Sequence, residues 1–554
     1  MVLAGVCTAA QGSTRSRESN GLPSFVSDIE DRAPGGSLTY AAEQEPTGFN
    51  GNTSTGATTA VKNVTENLFF YAMKARPDSG VDYVGLEREP KVISSQPQLI
   101  EWELRREAIW SDGTPVTVAD VQHYFEQVML KDPAQVSTEN ANGYVNDVAS
   151  RVGYDQITKF TRVDDKTFRA EFGPAYGDYR SLWTDIPQAR FMRAQRGGWD
   201  TGLDDTPGPS AGPYLFKEWN KGESLVLVRN HQWWGSPKPT LDSIVFRFLP
   251  DTASQVTALR NNEVDMIYPQ PQVDLVQEIR SLPGIRHSIG FGPTFEHLTF
   301  NLKHELLSDR AVRQAIAWGV DRNEIVDRLL KPFSSRAVRV DNSVVLVGQA
   351  GYEAHGAEYH SADPARARAA LDSSGYVRGV DGIYEKGGRR LSLRLATTAD
   401  NQLRAQQAEL MRNQLSRVGI EVRIETVSAR LFFGERLPGG DFDIANFAWA
   451  GGPFPISAAK QVWQTGSDSN YGGYSSPAFD RAAAEGAVEL DRTDQLVLAN
   501  AMDRALWEDL AVLPLYQKPT LLAVRDRFVN VTDNPTNEGP FWRAQVWGLR
   551  KKTS

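Results

Sequence analysis

With 554 residues, 40% hydrophobic and 23% charged side chains, the chain has the make-up of a folded globular protein. It exceeds the roughly 250–300 residues at which a single core stops growing, so at least two lobes are expected. A formal net charge of −9 supplies no basic field to hold a phosphate backbone, which argues against nucleic acid, and a single cysteine rules out intramolecular disulfides and cysteine-based metal clusters.

That cysteine, Cys7, follows the apolar run Val2-Leu3-Ala4-Gly5-Val6 and precedes a polar tail from Thr8 to Ser13. The arrangement is similar to the end of a bacterial lipoprotein signal peptide, in which the cysteine becomes the lipidated first residue. Two features depart from it: Val6 stands where the pattern has glycine or alanine, and the basic and long apolar regions are missing. Residues 12–36 lack periodicity and read as a flexible tether, so residues 1–36 together form a signal remnant and tether, with the fold beginning near Ser37. No later run approaches the roughly 18 apolar residues of a membrane span.

Glu101 to Arg105 alternates like a strand, Asp112-Gly113 supplies a turn, and Thr117 with Asp120 forms a capping box for a helix carrying Val121, Tyr124, Phe125, Val128 and Met129 on one face. Ile244, Phe246 and Phe248 alternate as a strand, and Ser254 to Asn262 reads as a helix entered at Asp251. Asp363-Pro364 opens another helix that closes before Gly375. Leu403, Leu410, Met411, Leu415 and Val418 outline a helix stopped by Gly419, after which Ile420, Val422 and Ile424 alternate as a strand. The pattern is mixed α/β with no repeat of fixed period.

Several blocks stand in a telling order: Trp110 to Val121, Ser210 to Phe216, Arg229 to Gly235, Asn301-Leu302 leading into Asp309 to Ile316, and Asp441 to Ile444. Together they resemble the family 5 solute-binding proteins, extracytoplasmic receptors that feed peptides, and sometimes nickel or other solutes, to ABC importers. The resemblance runs from about Gly36 to the C-terminus. It implies an α/β, two-lobed periplasmic-binding-protein-like fold of the large class, with the ligand cleft between the lobes. It also implies boundaries: 37–80, 205–300 and 510–554 for the first lobe, an inserted subdomain at 81–204, and 301–509 for the second lobe.

Two stretches imitate catalytic motifs. Gly208-Pro209-Ser210-Ala211-Gly212 matches the spacing of a nucleophile elbow, but a strand-like run rather than a helix follows it, so a structural turn is expected. Ser457-Ala458-Ala459-Lys460 has the Ser-x-x-Lys spacing of penicillin-recognising acyl enzymes without their companion motifs. The 7 histidines include no helical i,i+4 pair, and His355 and His360 are expected at the surface rather than on a metal. Neither catalytic nor metal-binding residues are expected, and no cofactor.

Ligand-binding residues are expected in four places. The stretch from Phe447 to Pro455, following a strand expected over Asp441 to Ala445, offers Trp449 and Phe454 as flat apolar walls, while Gly451 and Gly452 permit close backbone approach. In the family this loop lies over the cleft, and many oligopeptide receptors carry an aspartate three residues after the tryptophan to pair with the peptide ammonium. Here that position is Gly452, so either another acid serves or the ligand lacks a free amine. Phe49 and Asn50, and Asn470, Tyr471 and Tyr474, resemble two further cleft loops of the family. In the strand-like run from Phe295 to Phe300, Glu296 or His297 reaches the cleft or serves the structure.

The expected function is a non-catalytic, monomeric, extracytoplasmic receptor, secreted or tethered through Cys7, that closes on a peptide and delivers it to the permease and ATPase of an ABC importer. Two alternatives remain. The same fold can take a metal chelate, haem, glycan or secondary metabolite, or the scaffold can serve as an enzyme of a biosynthetic pathway.

Overall fold

The computed structural model describes residues 29–129, 147–399 and 401–551. Cys7 lies outside these residues. Two long strands, Ile285–Phe300 and Val512–Arg525, pair antiparallel at the centre of a ten-stranded sheet. Their apolar residues alternate between the two faces of the sheet: Leu298 and Leu513 enter one cluster and Leu522 and Val524 another, which keeps both faces buried.

On one side the sheet continues through Ile444–Ala450, Ser392–Thr398 and Glu421–Val427. The last two run parallel, linked by the helix Gln402–Arg417, as an antiparallel hairpin could not be. Asn401 accepts the Arg404 amide at its start, and beyond its end Gly419 has φ +85°, where a Cβ would stand 2.6 Å from the Tyr384 ring. On the other side the sheet continues through Met266–Ile267, Ser37–Ala42, Ser243–Phe248, Ser224–Arg229 and Tyr214–Asn220. The fold is therefore mixed α/β around one large sheet whose two halves are bridged by the long strands.

A separate four-stranded antiparallel sheet comprises Lys91–Ser95, Gln98–Glu103, Thr167–Phe172 and Ile157–Arg162. The helix Val118–Met129 packs beside it. At its start the Asp120 carboxylate accepts the Thr117 amide at 2.9 Å and also ties in Ala189 N–H, so the capping carboxylate joins two segments. Trp102 is central here: it stacks on Phe168 at 5.3 Å and meets Trp183 edge-on at 5.7 Å, all three fully buried.

Three expectations are corrected. Order begins before Ser37: Arg32–Ala33 pairs with Leu549 and Arg550, and the Arg32 guanidinium donates to the carbonyls of Ile29, Lys238 and Gln545, so a single arginine anchors the first of the described residues. The strand expected over Asp441 to Ala445 is Ile444–Ala450, because the alternating apolar run continues through Trp449. His355 is not a free surface group, since its Nδ1 lies 2.6 Å from the buried Asp503 carboxylate.

Trp102→Ala is expected to cost about 3–5 kcal/mol, because it removes a fully buried indole at the meeting point of three rings. Denaturant unfolding followed by tryptophan fluorescence and circular dichroism checks this; a loss below about 1 kcal/mol would contradict the packing described.

Candidate functional site

The two long strands do not pair continuously. Phe291 faces Pro519 and Phe295 faces Gln517, and between them Gly292, Pro293 and Thr294 lie opposite Lys518 alone. Extra residues on one strand interrupt the ladder and bend it. The main cavity opens at this interruption, about 350 Å³ in volume, with Glu43, Asn63, Phe246, Tyr268, Thr294 and Lys518 in its wall. A recess of about 40 Å³ shares Gln270, Lys518 and Pro519 with it and adds Glu296, Asn401 and Leu403 from beyond the interruption. Lys518 therefore belongs to both spaces. Another, slightly larger cavity, about 380 Å³, is lined by Trp233, Trp234 and Trp542 and by no residue between 237 and 541; the main cavity likewise takes no residue between 295 and 517, and it is the recess that brings in Asn401 and Leu403.

The aromatic loop forms a neighbouring wall. Trp449 stacks on Tyr471 at 5.9 Å and 12°, and also lies parallel to the His297 ring at 6.3 Å. Gly451 N–H donates to the Pro293 carbonyl at 2.7 Å, and a Cβ on Gly451 would come within 2.8 Å of that oxygen. Only glycine allows this contact between the loop and the interrupted strand. Gly452 differs: a Cβ there meets nothing within 4 Å, and its carbonyl accepts from Gln349. Phe454, half-buried, precedes the helix Pro455–Trp463. A slot of about 20 Å³ under the loop is lined by Phe295, Ser343, Gly451, Gly452 and Trp463, and the Ser343 hydroxyl is buried there without a partner.

Trp449, Gly451, Gly452 and Tyr471 are thus brought together. Of the other expected ligand residues, Phe49, Asn50, Glu296, Asn470 and Tyr474 are used by the fold itself. Phe49 is fully buried between Phe216 and Trp219, and Asn50 donates to the Trp199 carbonyl at 2.7 Å while accepting the Asn52 amide. Asn470 spends its amide on the carbonyls of Trp463, Gln464 and Tyr474 and accepts the Tyr474 amide, so it braces its own loop. Tyr474 is buried, with its hydroxyl on Asp509 at 2.8 Å.

Glu296 borders the recess but is claimed by Arg404, whose Nε donates to both carboxylate oxygens at 3.1 Å and whose Nη2 donates at 2.8 Å. Both side chains are buried, and bidentate pairing is what makes such burial tolerable. His297 is completely buried, and burial pushes its pKa down to about 3, so the ring is neutral at pH 7.

The two catalytic look-alikes are occupied by structural bonds. Ser210 Oγ, buried, donates toward the carbonyls of Leu68 and Tyr214. Ser457 Oγ donates to Asp178, not to Lys460, and Ser457 N–H reaches the same carboxylate at 3.2 Å in the first turn of its helix. Asp178 also accepts from Gln495 at 3.2 Å, and Gly177 N–H donates to the Ala487 carbonyl at 2.6 Å. The segment beside the four-stranded sheet therefore touches the helices at 455–463 and 492–509, beside the aromatic loop. Burial raises the Asp178 pKa, with Ser457 and the Arg492 charge opposing the shift.

Lys518, Glu43, Asn63 and Asp178 were not anticipated from the sequence. One signal was available. Lys518 is the only charged residue between Val512 and Val524, a long apolar strand in which an unpaired lysine is costly.

Residues 88–471 match the model of the bacterial extracellular solute-binding proteins, family 5. The oligopeptide-binding protein OppA of Mycobacterium tuberculosis is 32% identical over 79% of this chain and 72% of its own length. The chain belongs to the family 5 solute-binding proteins. Among solved structures, the periplasmic EDTA-binding protein EppA superposes with a TM-score of 0.86 at 24% identity, covering 94% of this chain and 97% of that one. The oligopeptide-binding protein AppA of Bacillus subtilis, solved with a nonapeptide, superposes at 0.72 and 19% identity, covering 94% and 100%. The shared architecture is the family's extracytoplasmic binding fold, and no helix among the described residues is long and apolar enough to cross a membrane.

Two outcomes test this geometry. Arg404→Met alone is expected to cost about 3–5 kcal/mol by stranding Glu296, while the double variant with Glu296→Leu recovers most of it; thermal melts of the three variants decide. Gly451→Ala is expected to cost about 1–3 kcal/mol through its clash with Pro293, and Gly452→Ala to stay within about 0.5 kcal/mol. Equal effects of the two alanines would refute the loop geometry.

Proposed function

We propose that this chain is an extracytoplasmic receptor that binds peptides where its two halves meet and passes them to the permease and ATPase of an ABC importer. The observation that carries this reading is that Lys518, opposite the interruption of the two long strands, borders both the main cavity and a recess that brings in Asn401 and Leu403 from the second half. A solute that spans cavity and recess touches groups of both halves, so its differential affinity for the closed state sets how far closure is favoured.

Peptide is the solute class we favour. OppA of Mycobacterium tuberculosis is named for oligopeptide binding, and the aromatic wall of Trp449 and Tyr471 suits sequence-tolerant contact with an extended chain. The lobes are assigned as 37–80, 205–300 and 510–554 for the first, with 81–204 inserted into it, and 301–509 for the second. The receptor acts as a monomer without catalysis, and Cys7, between an apolar run and a polar tail, is its lipid anchor. The sequence holds no Gly-x-x-x-x-Gly-Lys-Ser/Thr loop, so ATP is hydrolysed by a separate subunit.

Native mass spectrometry of the purified protein with a mixed peptide pool is expected to retain peptide, and Trp449→Ala to weaken retention by about tenfold, roughly 1.4 kcal/mol. No retained peptide together with no thermal shift would reject the peptide assignment.

A further inference from the structure

Lys518 stands at the point where the strand pairing fails, facing both the main cavity and the recess. Among the described residues it makes no hydrogen bond or ion pair. Its nearest acids do not supply one: Glu296 is held by three contacts from Arg404, and Glu43 lies exposed at the end of its strand, also without a hydrogen bond or ion pair. Glu43 and Lys518 are the only charged residues in the wall of the main cavity. Burial pulls the Lys518 pKa below the ordinary lysine value, with the fields of Glu296 and Glu43 opposing that shift. An ammonium left half-desolvated in an apolar strand is a liability to the empty protein unless something else meets it.

We propose that Lys518 is the specificity-determining contact for a carboxylate on the bound solute, paired with it at the hinge cavity. This rests on the proposal that solute binds in that cavity. A carboxylate there completes a charge-assisted hydrogen bond in a partly dry space, where such bonds are strongest. The same wall offers the Asn63 Oδ1, buried and unpartnered, as an acceptor for an amide N–H of the solute. Acceptor and ammonium in one cavity match a molecule bearing both an N–H and a carboxylate. A peptide C-terminus has that chemistry. So, for the anionic part alone, has a polycarboxylate chelator.

The decisive measurement is isothermal titration of the full chain with three probes: a ladder of alanine-glycine peptides as free acids, the same ladder as C-terminal amides, and EDTA with and without iron(III). Wild type is expected to bind free acids at least tenfold more tightly than amides. Lys518→Met should abolish that preference, and Lys518→Arg should keep most of it. Lys518→Gln, with its neutral polar tip, replaces the methionine variant if the latter does not fold, as judged by circular dichroism and melting temperature.

If EDTA binds and loses at least tenfold with Lys518→Met while no peptide binds, the carboxylate contact stands and the peptide assignment falls. If acids and amides bind alike to wild type, or the preference survives in Lys518→Met, the lysine contact is overturned and the peptide assignment stands. Wild type that binds none of the probes overturns both.

Discussion

Everything in this fold hangs on two antiparallel strands that carry the sheet from one half of the molecule to the other. Sixteen residues from Ile285 and fourteen from Val512 form that bridge, and their ladder is broken opposite Lys518. Outside the break the strands pair again from Phe295, with a second, one-residue shift between Glu296 and His297. At the break the backbone gives up ladder hydrogen bonds, and the main cavity takes that place. The interruption of the ladder and the main cavity are therefore one location.

Burial of charge separates what serves the fold from what is free for a solute. Glu296 and Arg404 satisfy each other, Asp178 is satisfied by Ser457 and Gln495, and His297 is kept neutral by burial. Lys518 and Glu43 have no such partners. The distinction is energetic for Lys518: a largely buried ammonium without a counter-charge is expensive, whereas Glu43 is exposed and solvated.

Sequence periodicity reported the elements well. The helix closing at Gly419, the strand following it and the helix entered at Asp251 stand where apolar spacing and capping residues placed them. The loop geometry was legible where the backbone demands glycine, as at Gly451, and where an aromatic ring makes a flat wall, as at Trp449. It was misread where a short polar or aromatic run resembles a ligand loop, because Asn50, Asn470 and Tyr474 spend the same groups on their own backbone or on Asp509. Which carbonyl an amide meets depends on contacts far away in sequence. Lys518 was missed for the opposite reason, since its strand is apolar on every side and a lone charge breaks no periodic pattern.

The bond network around Asp178 has an energetic corollary. It joins Gly177 and Asp178 to Ser457, Ala487 and Gln495 through groups of the chain itself, none of which lines the main cavity. Breaking it therefore costs the same whatever occupies the main cavity. These contacts set a floor on the cost of separating the two segments that is independent of the cavity's contents.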